Sequence, residues 1–239
     1  MLLASVFCFL MYLNALESQL ALDTFKMPIP DDTWVSFDSD GKRIHIGDIR
    51  TILNNRESGF ESYLAEILKI RLERTLIKPV DGIVDNHNIA HVLVGLTCIG
   101  IETLGHIFHP EGEKSKPFVA VCSKLHQVFS RNLSKGFKKD LSEMWAKNDN
   151  IDSIKTLSYL MYRYLRNEIQ HGFVAKGVYL SNDIKDLEVF NKNGIAYLKV
   201  NPKWFWLKFK DVFHELFNEV EKKDIYKSNI VKYMNSIVS

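Results

Sequence analysis

Apolar positions recur at helical spacing along most of this chain, and strand-like alternation is confined to two short regions. Residues 26–47 read as irregular, with short strand-like stretches on either side of a Ser39-Asp40-Gly41 turn. The spacing predicts a helix over 56–77, with Phe60, Leu64, Ile67, Leu68 and Leu72 on one stripe. A second helix, 86–108, is apolar enough to be the central core helix; Asn86 or Asn88 caps its start and Pro110 lies beyond its end. A third begins after Pro117, and a shorter one covers 135–146. A fifth runs over about 152–171, capped by Asp152 and closed by Gly172. A polar hairpin follows, with stretches at 177–181, 186–190 and 195–200 and a turn at Asn193-Gly194. Asn201-Pro202 then starts a long aromatic helix, and another short helix reaches the end. The pattern is an all-α bundle with a small β-hairpin insertion between the last long helices.

The first 13 residues are apolar but short of the roughly 20 that a membrane-spanning helix needs. No Lys or Arg precedes them and no small-residue cleavage site follows, so they read as a buried first helix or a start placed too early rather than a membrane or export segment. Residues 1–50 are accordingly taken as an N-terminal helix and irregular segment, and 51–239 as the helical domain. With 239 residues, 46% hydrophobic and 25% charged, the chain can bury a core without staples and is neither disordered nor fibrous. Cys8, Cys98 and Cys122 are an odd number with no close spacing, which suits a reducing, cytoplasmic compartment and no zinc framework.

Charge changes the picture. Lys114, Lys116, Lys124, Arg131, Lys135, Lys138 and Lys139 follow one another with no Asp or Glu between them. Removing these seven from a net charge of +2 leaves −5 for the remainder, so a basic segment sits on a mildly acidic body. Such a stretch is either a solvated helix face or a surface for phosphates, as polyanion binding requires. Arg163 joins Lys124, Arg131, Lys135, Lys138 and Lys139 as a candidate nucleic-acid contact.

The stretch that carries chemistry is Tyr162–Gly172, YRYLRNEIQHG. Arg166 and His171 are separated by four residues near the end of a late helix, just before a glycine. This resembles the signature of the HEPN family, an Arg followed by four to six residues and a His. The resemblance extends over about Ile89–Glu221 and implies an HEPN-like helical bundle. It further implies metal-independent cleavage of RNA by a homodimer, in a bacterial stress or defence system, with two motif helices meeting at one site. Arg166 would bind the scissile phosphate, His171 would handle the proton of the attacking 2′-hydroxyl or leaving oxygen, and Asn167 would support the site. No cofactor, metal or membrane is implied; a neutralising partner protein is. Many members of the family are non-catalytic binding or dimerisation modules. Some of its toxins carry a Tyr two residues after the His, which a partner nucleotidyltransferase modifies. Here that residue is Phe173, which puts such control in doubt.

The residues also speak for themselves. On an α-helix Arg166 and His171 diverge by roughly 140°, so one helix alone aims them poorly at one phosphate. Asn167 and His171 are neighbours at i,i+4, and a His at the negative end of a helix gains in basicity. A planar phosphate-binding Arg beside such a His is what acid–base cleavage of a phosphodiester needs, although the same pair can simply cap carbonyls. Leu157, Met161, Tyr164 and Leu165 are candidates to pack across or beneath a dimer seam.

His87, His91, Cys98, Glu102, His106 and His109 fall near one face of the core helix. His87 to His109 spans about 33 Å, so they cannot share one ion, and no HExxH motif is present. They read as satisfied core groups or as lining of an RNA-facing groove, with a metal-dependent hydrolase as the reading from another class. Glu102 is placed at the Arg/His site, because a buried acid needs a partner and Arg166 could supply it. Phe205, Phe209, Phe213 and Phe217 form a core stripe, leaving Trp204 or Trp206 exposed. Walker, dinucleotide-binding, nucleophile-elbow and kinase signatures are absent.

Overall fold

The computed structural model describes residues 29–136, 155–166, 178–192 and 195–239. In chain order its strands and helices begin with β1 (Trp34–Phe37), β2 (Arg43–His45), α1 (Ile46–Asn55) and α2 (Phe60–Leu72). Next come α3 (Ala90–Phe108), α4 (Ser115–Leu125), α5 (Gln127–Ser130) and α6 (Leu157–Leu160). The order ends with β3 (Val178–Leu180), β4 (Leu187–Lys192), β5 (Ile195–Val200), α7 (Pro202–Asn218) and α8 (Asp224–Val238). The protein is mostly helical with two small sheets. The first apolar helix and nearly all of the helix expected at 135–146 lie outside the described residues.

The chain divides after Ile83, not near residue 50, into a unit of Met1–Ile83 with Glu219–Ser239 and a unit of Val84–Asn218. In the first, the 26–47 region is a true antiparallel hairpin. Gly41 adopts a φ of 82° in its turn, and Asp38 accepts a hydrogen bond from the Lys42 amide at 2.8 Å. The Asp48 carboxylate accepts from the His45 amide at 2.8 Å and starts α1, a helix the apolar spacing did not reveal. Beyond α2 the helix widens into a π-turn at Glu73–Ile77 before the short helix Lys78–Asp81. Pro79 explains the widening: its ring cannot donate an amide and crowds the carbonyl four residues back, so the Lys78 amide bonds the Glu73 carbonyl instead. The C-terminal α8 packs on α1 and α2, with Arg50 Nη2 donating to the Val238 carbonyl at 2.9 Å. The closeness of residue 50 to residue 238 is why a cut at residue 50 fails.

In the second unit α3 is the central helix, packed by α4 and α7. It is long and apolar enough to cross a membrane, yet 67% of its apolar window is buried within the chain. Its start is capped by Asn86, whose side chain accepts from the Asn88 amide. Two glycines let neighbours touch the backbone: a Cβ on Gly100 would lie 2.4 Å from Phe209 Cζ, and one on Gly105 would lie 2.4 Å from the Pro117 carbonyl. Phe205, Phe209 and Phe213 of α7 are fully buried and Phe217 nearly so, as the spacing predicts. Burial of each such ring stabilises the fold by about 1.5–3 kcal/mol. Trp206 is fully buried as well, which leaves Trp204, stacked on Phe129, as the partly exposed tryptophan.

The start of α6 differs from expectation. Thr156, not Asp152, caps it, accepting from the Tyr159 amide. Thr156 bridges Asn132, and the Leu133 amide bonds the Lys155 carbonyl, so the backbone is extended there and no helix can pass through. The inserted hairpin β4–β5 forms as predicted, and β3 adds a third strand, parallel to β5, giving the order β3-β5-β4.

A candidate Arg/Glu site on the core helix

Leu157, Leu160, Met161, Tyr164 and Leu165 are all buried, and they clamp α6 and the π-helical turn Met161–Arg166 onto the unit core. A hydrogen bond of 2.9 Å between Ser123 and Ser158 ties α4 to α6. This anchoring delivers Arg166 to Glu102 of α3. Arg166 Nε donates to Glu102 Oε2 at 2.9 Å, while Nη2 donates to Oε1 at 2.5 Å and to Oε2 at 2.7 Å. The side chains are only 14% and 8% exposed. A charge-assisted, two-pronged contact of this kind fixes the plane of the guanidinium as well as its position.

Tyr162 completes the immediate surroundings. Its ring lies 5.6 Å from Arg166 Cζ and packs against Phe118 at 5.6 Å. Burial pushes the Tyr162 phenol up, with Arg166 opposing and Glu102 adding to the rise. One turn before Glu102, burial drives the Cys98 thiol strongly upward, and the Glu102 charge adds to it while Arg166 opposes. Cys122 is raised for the same primary reason. Both thiols are therefore inert packing groups at neutral pH.

Of the residues singled out by sequence, the structure brings Arg166 and Glu102 together. Asn167 and His171 lie outside the described residues. The 140° divergence assumed α geometry, but the turn that ends at Arg166 is π-helical, which rotates successive residues less than an α-helix does. Leu157, Met161, Tyr164 and Leu165 are buried within the chain itself, so they support the motif from beneath and present no surface for a partner.

The polar groups of α3 do not form one lining. Cys98 and Glu102 are buried while His91 and His106 are exposed, because the helix is enclosed by neighbours only along part of its length. Among the described residues no group of three or more His, Cys, Asp or Glu is arranged to hold a metal ion.

Lys114, Lys116, Lys124, Arg131 and Lys135 are all exposed, as is Arg163. Lys124 is 3.7 Å from Glu215, which partly neutralises it. Lys138 and Lys139 lie outside the described residues. Tyr162 was not singled out by sequence, although its i,i+4 spacing to Arg166 was the available signal.

Comparison with protein-family models, with curated proteins and with solved structures gives no match.

Proposed function

We propose that this chain is an HEPN-like, metal-independent endoribonuclease that works as a cytoplasmic homodimer in a bacterial stress or defence system, subject to a neutralising partner protein. The reading rests on the motif R-N-E-I-Q-H together with one observation: its Arg166 is oriented by a buried two-pronged carboxylate on the core helix. Arg166 holds the scissile phosphate. His171 moves the proton as the 2′-oxygen attacks phosphorus and the bond to the 5′-oxygen breaks, leaving a cyclic phosphate. Asn167 steadies His171, and Glu102 is a positioning residue acting through Arg166.

A second reading, a non-catalytic HEPN-like binding or dimerisation module, is favoured by the same contact. Glu102 neutralises Arg166 and leaves its side chain only 14% exposed, as in a purely structural ion pair. Incubation of the purified protein with total RNA, with and without EDTA, separates the readings. Cleavage that survives EDTA and leaves cyclic or 3′-phosphate ends supports the nuclease. Absence of cleavage under both conditions supports the module, and activity restored only by zinc or manganese points to a metal-dependent hydrolase.

A further inference from the structure

The three-stranded sheet has two unlike faces. Val178, Leu198 and Val200 alternate inward and are buried. The register places Tyr179 beside Lys199, Phe190 beside Tyr197 and Glu188 beside Lys199, all on the opposite face. There the three aromatic rings form one contiguous cluster. Tyr179 lies 5.2 Å from Tyr197 and 5.8 Å from Phe190, and Phe190 stacks on Tyr197 at 5.3 Å with an interplanar angle of 20°. Tyr179 is 50% exposed, and the other two rings are partly exposed. In the structure of the single chain this face is the outer side of the sheet, away from the buried alternate positions.

We propose that this face is a stacking platform for unpaired bases of single-stranded RNA. Every base has a π-face, so a row of rings on a sheet binds unpaired strands with little regard to sequence, and a duplex keeps its bases out of reach. Charge selects this occupant. The unit that carries the sheet has 18 Lys and Arg against 14 Asp and Glu, although the whole chain is only +2. The face holds Lys199 among its rings, with Lys192 at a register position on the same side. A positive unit with exposed rings and few exposed aliphatic side chains on that face complements an unpaired polyanion better than an apolar protein surface. The platform deepens the reading of the protein as RNA-directed and rests on it. It narrows the substrate to unpaired strands.

The test is fluorescence anisotropy of a labelled twelve-nucleotide oligouridine, and of a labelled RNA hairpin with a fully paired stem, against the full chain. Variants are Tyr179→Phe, Tyr179→Leu, Tyr197→Phe and Tyr197→Leu, with circular dichroism to establish folding. The platform predicts preference for oligouridine, near-native affinity in the Phe variants, and a loss of about tenfold in each Leu variant without a change in salt slope. Tyr179→Leu is the decisive variant because the half-exposed position tolerates the change. Equal binding of oligouridine by Tyr179→Leu and the wild type overturns the proposal, as does failure of the wild type to bind. A change in oligomeric mass with unchanged RNA affinity also overturns it, making the face a protein interface. Cleavage of total RNA is scored separately in the same preparations. Cleavage with unaltered binding in the variants leaves the nuclease standing without the platform, whereas ring-dependent binding without cleavage keeps the platform and ends the nuclease reading.

Discussion

The guanidinium of Arg166 and the carboxylate of Glu102 meet across a sequence separation of 64 residues and bury each other almost completely. Each is the reason the other can be charged in that position. This makes the motif arginine part of the fold as well as a candidate for chemistry, and the two roles need separate measurements.

Arg166→Ala alone is expected to lower unfolding free energy by about 3–5 kcal/mol, since it strands a buried carboxylate. Glu102→Ala should cost a similar amount for the converse reason. The double variant Arg166→Met with Glu102→Leu should be far more stable than the sum of the single losses, within about 1–2 kcal/mol of the wild type. Urea melts of the four proteins form the cycle, and strict additivity would mean that the contact contributes nothing. A stable double variant without RNA cleavage would then isolate the chemical role of the pair from its structural one.

Gly100→Ala and Gly105→Ala should both destabilise the second unit. Each added methyl would come within 2.4 Å of a neighbour, Phe209 Cζ or the Pro117 carbonyl. Overpacking costs of about 1–3 kcal/mol outweigh the roughly 0.8–1 kcal/mol that Ala gains over Gly in a helix. Gly105→Ala should be the worse, because it meets backbone where Gly100→Ala meets a ring. Gly82→Ala is the contrast: its φ is −68° and its nearest neighbour lies 3.4 Å away, so a gain of about 0.4–1 kcal/mol is expected. Denaturation midpoints rank the three.

Cys98 and Cys122 should resist iodoacetamide at pH 8 in the folded protein and react fully in urea. Burial raises both thiols, so neither forms much thiolate at that pH. Peptide mass mapping assigns the labelled positions, and fast native labelling of either residue would show that α3 and α4 open readily.

Replacing Lys135, Lys138 and Lys139 with Gln should weaken RNA binding and flatten its salt dependence by about 0.7 per lost phosphate contact. Lys124→Gln should change the slope less, because Glu215 already offsets that charge. Affinities measured between 50 and 200 mM salt supply the slopes, and an unaltered slope in the triple variant would make the segment an ordinary solvated face.

Mixing Arg166→Ala with His171→Ala tests the dimer. If each site takes Arg from one protomer and His from the other, mixed dimers regain part of the wild-type activity in a single-turnover assay. Cleavage by a protein that sediments as a monomer would end the shared-site idea.

Local patterns in the sequence carried the helices well. The stripe from Phe205 to Phe217 is buried as its spacing requires, and the apolar run from Ala90 to Phe108 is the core helix. Asn201 caps α7 by accepting from the Trp204 amide at 3.0 Å, and the β4–β5 hairpin turns where Asn193-Gly194 stands. Where a local signal was weak, the reading failed. No stripe announced α1, and the cap on α6 moved from Asp152 to Thr156 because a distant partner, Asn132, holds the preceding backbone extended.

Periodicity and capping are written within a few residues, so the sequence by itself determined the helical class, the core stripes, the inserted hairpin and the motif Arg166–His171. Long-range packing alone decided the rest. The C-terminal helix joined residues near position 50, β3 paired in parallel with a strand that follows it in the chain, and Trp206 rather than Trp204 was buried. The meeting of Arg166 with Glu102 belongs to both levels: the need of a buried carboxylate for a cation is readable from residue types, but which cation arrives depends on how α6 is clamped to α3.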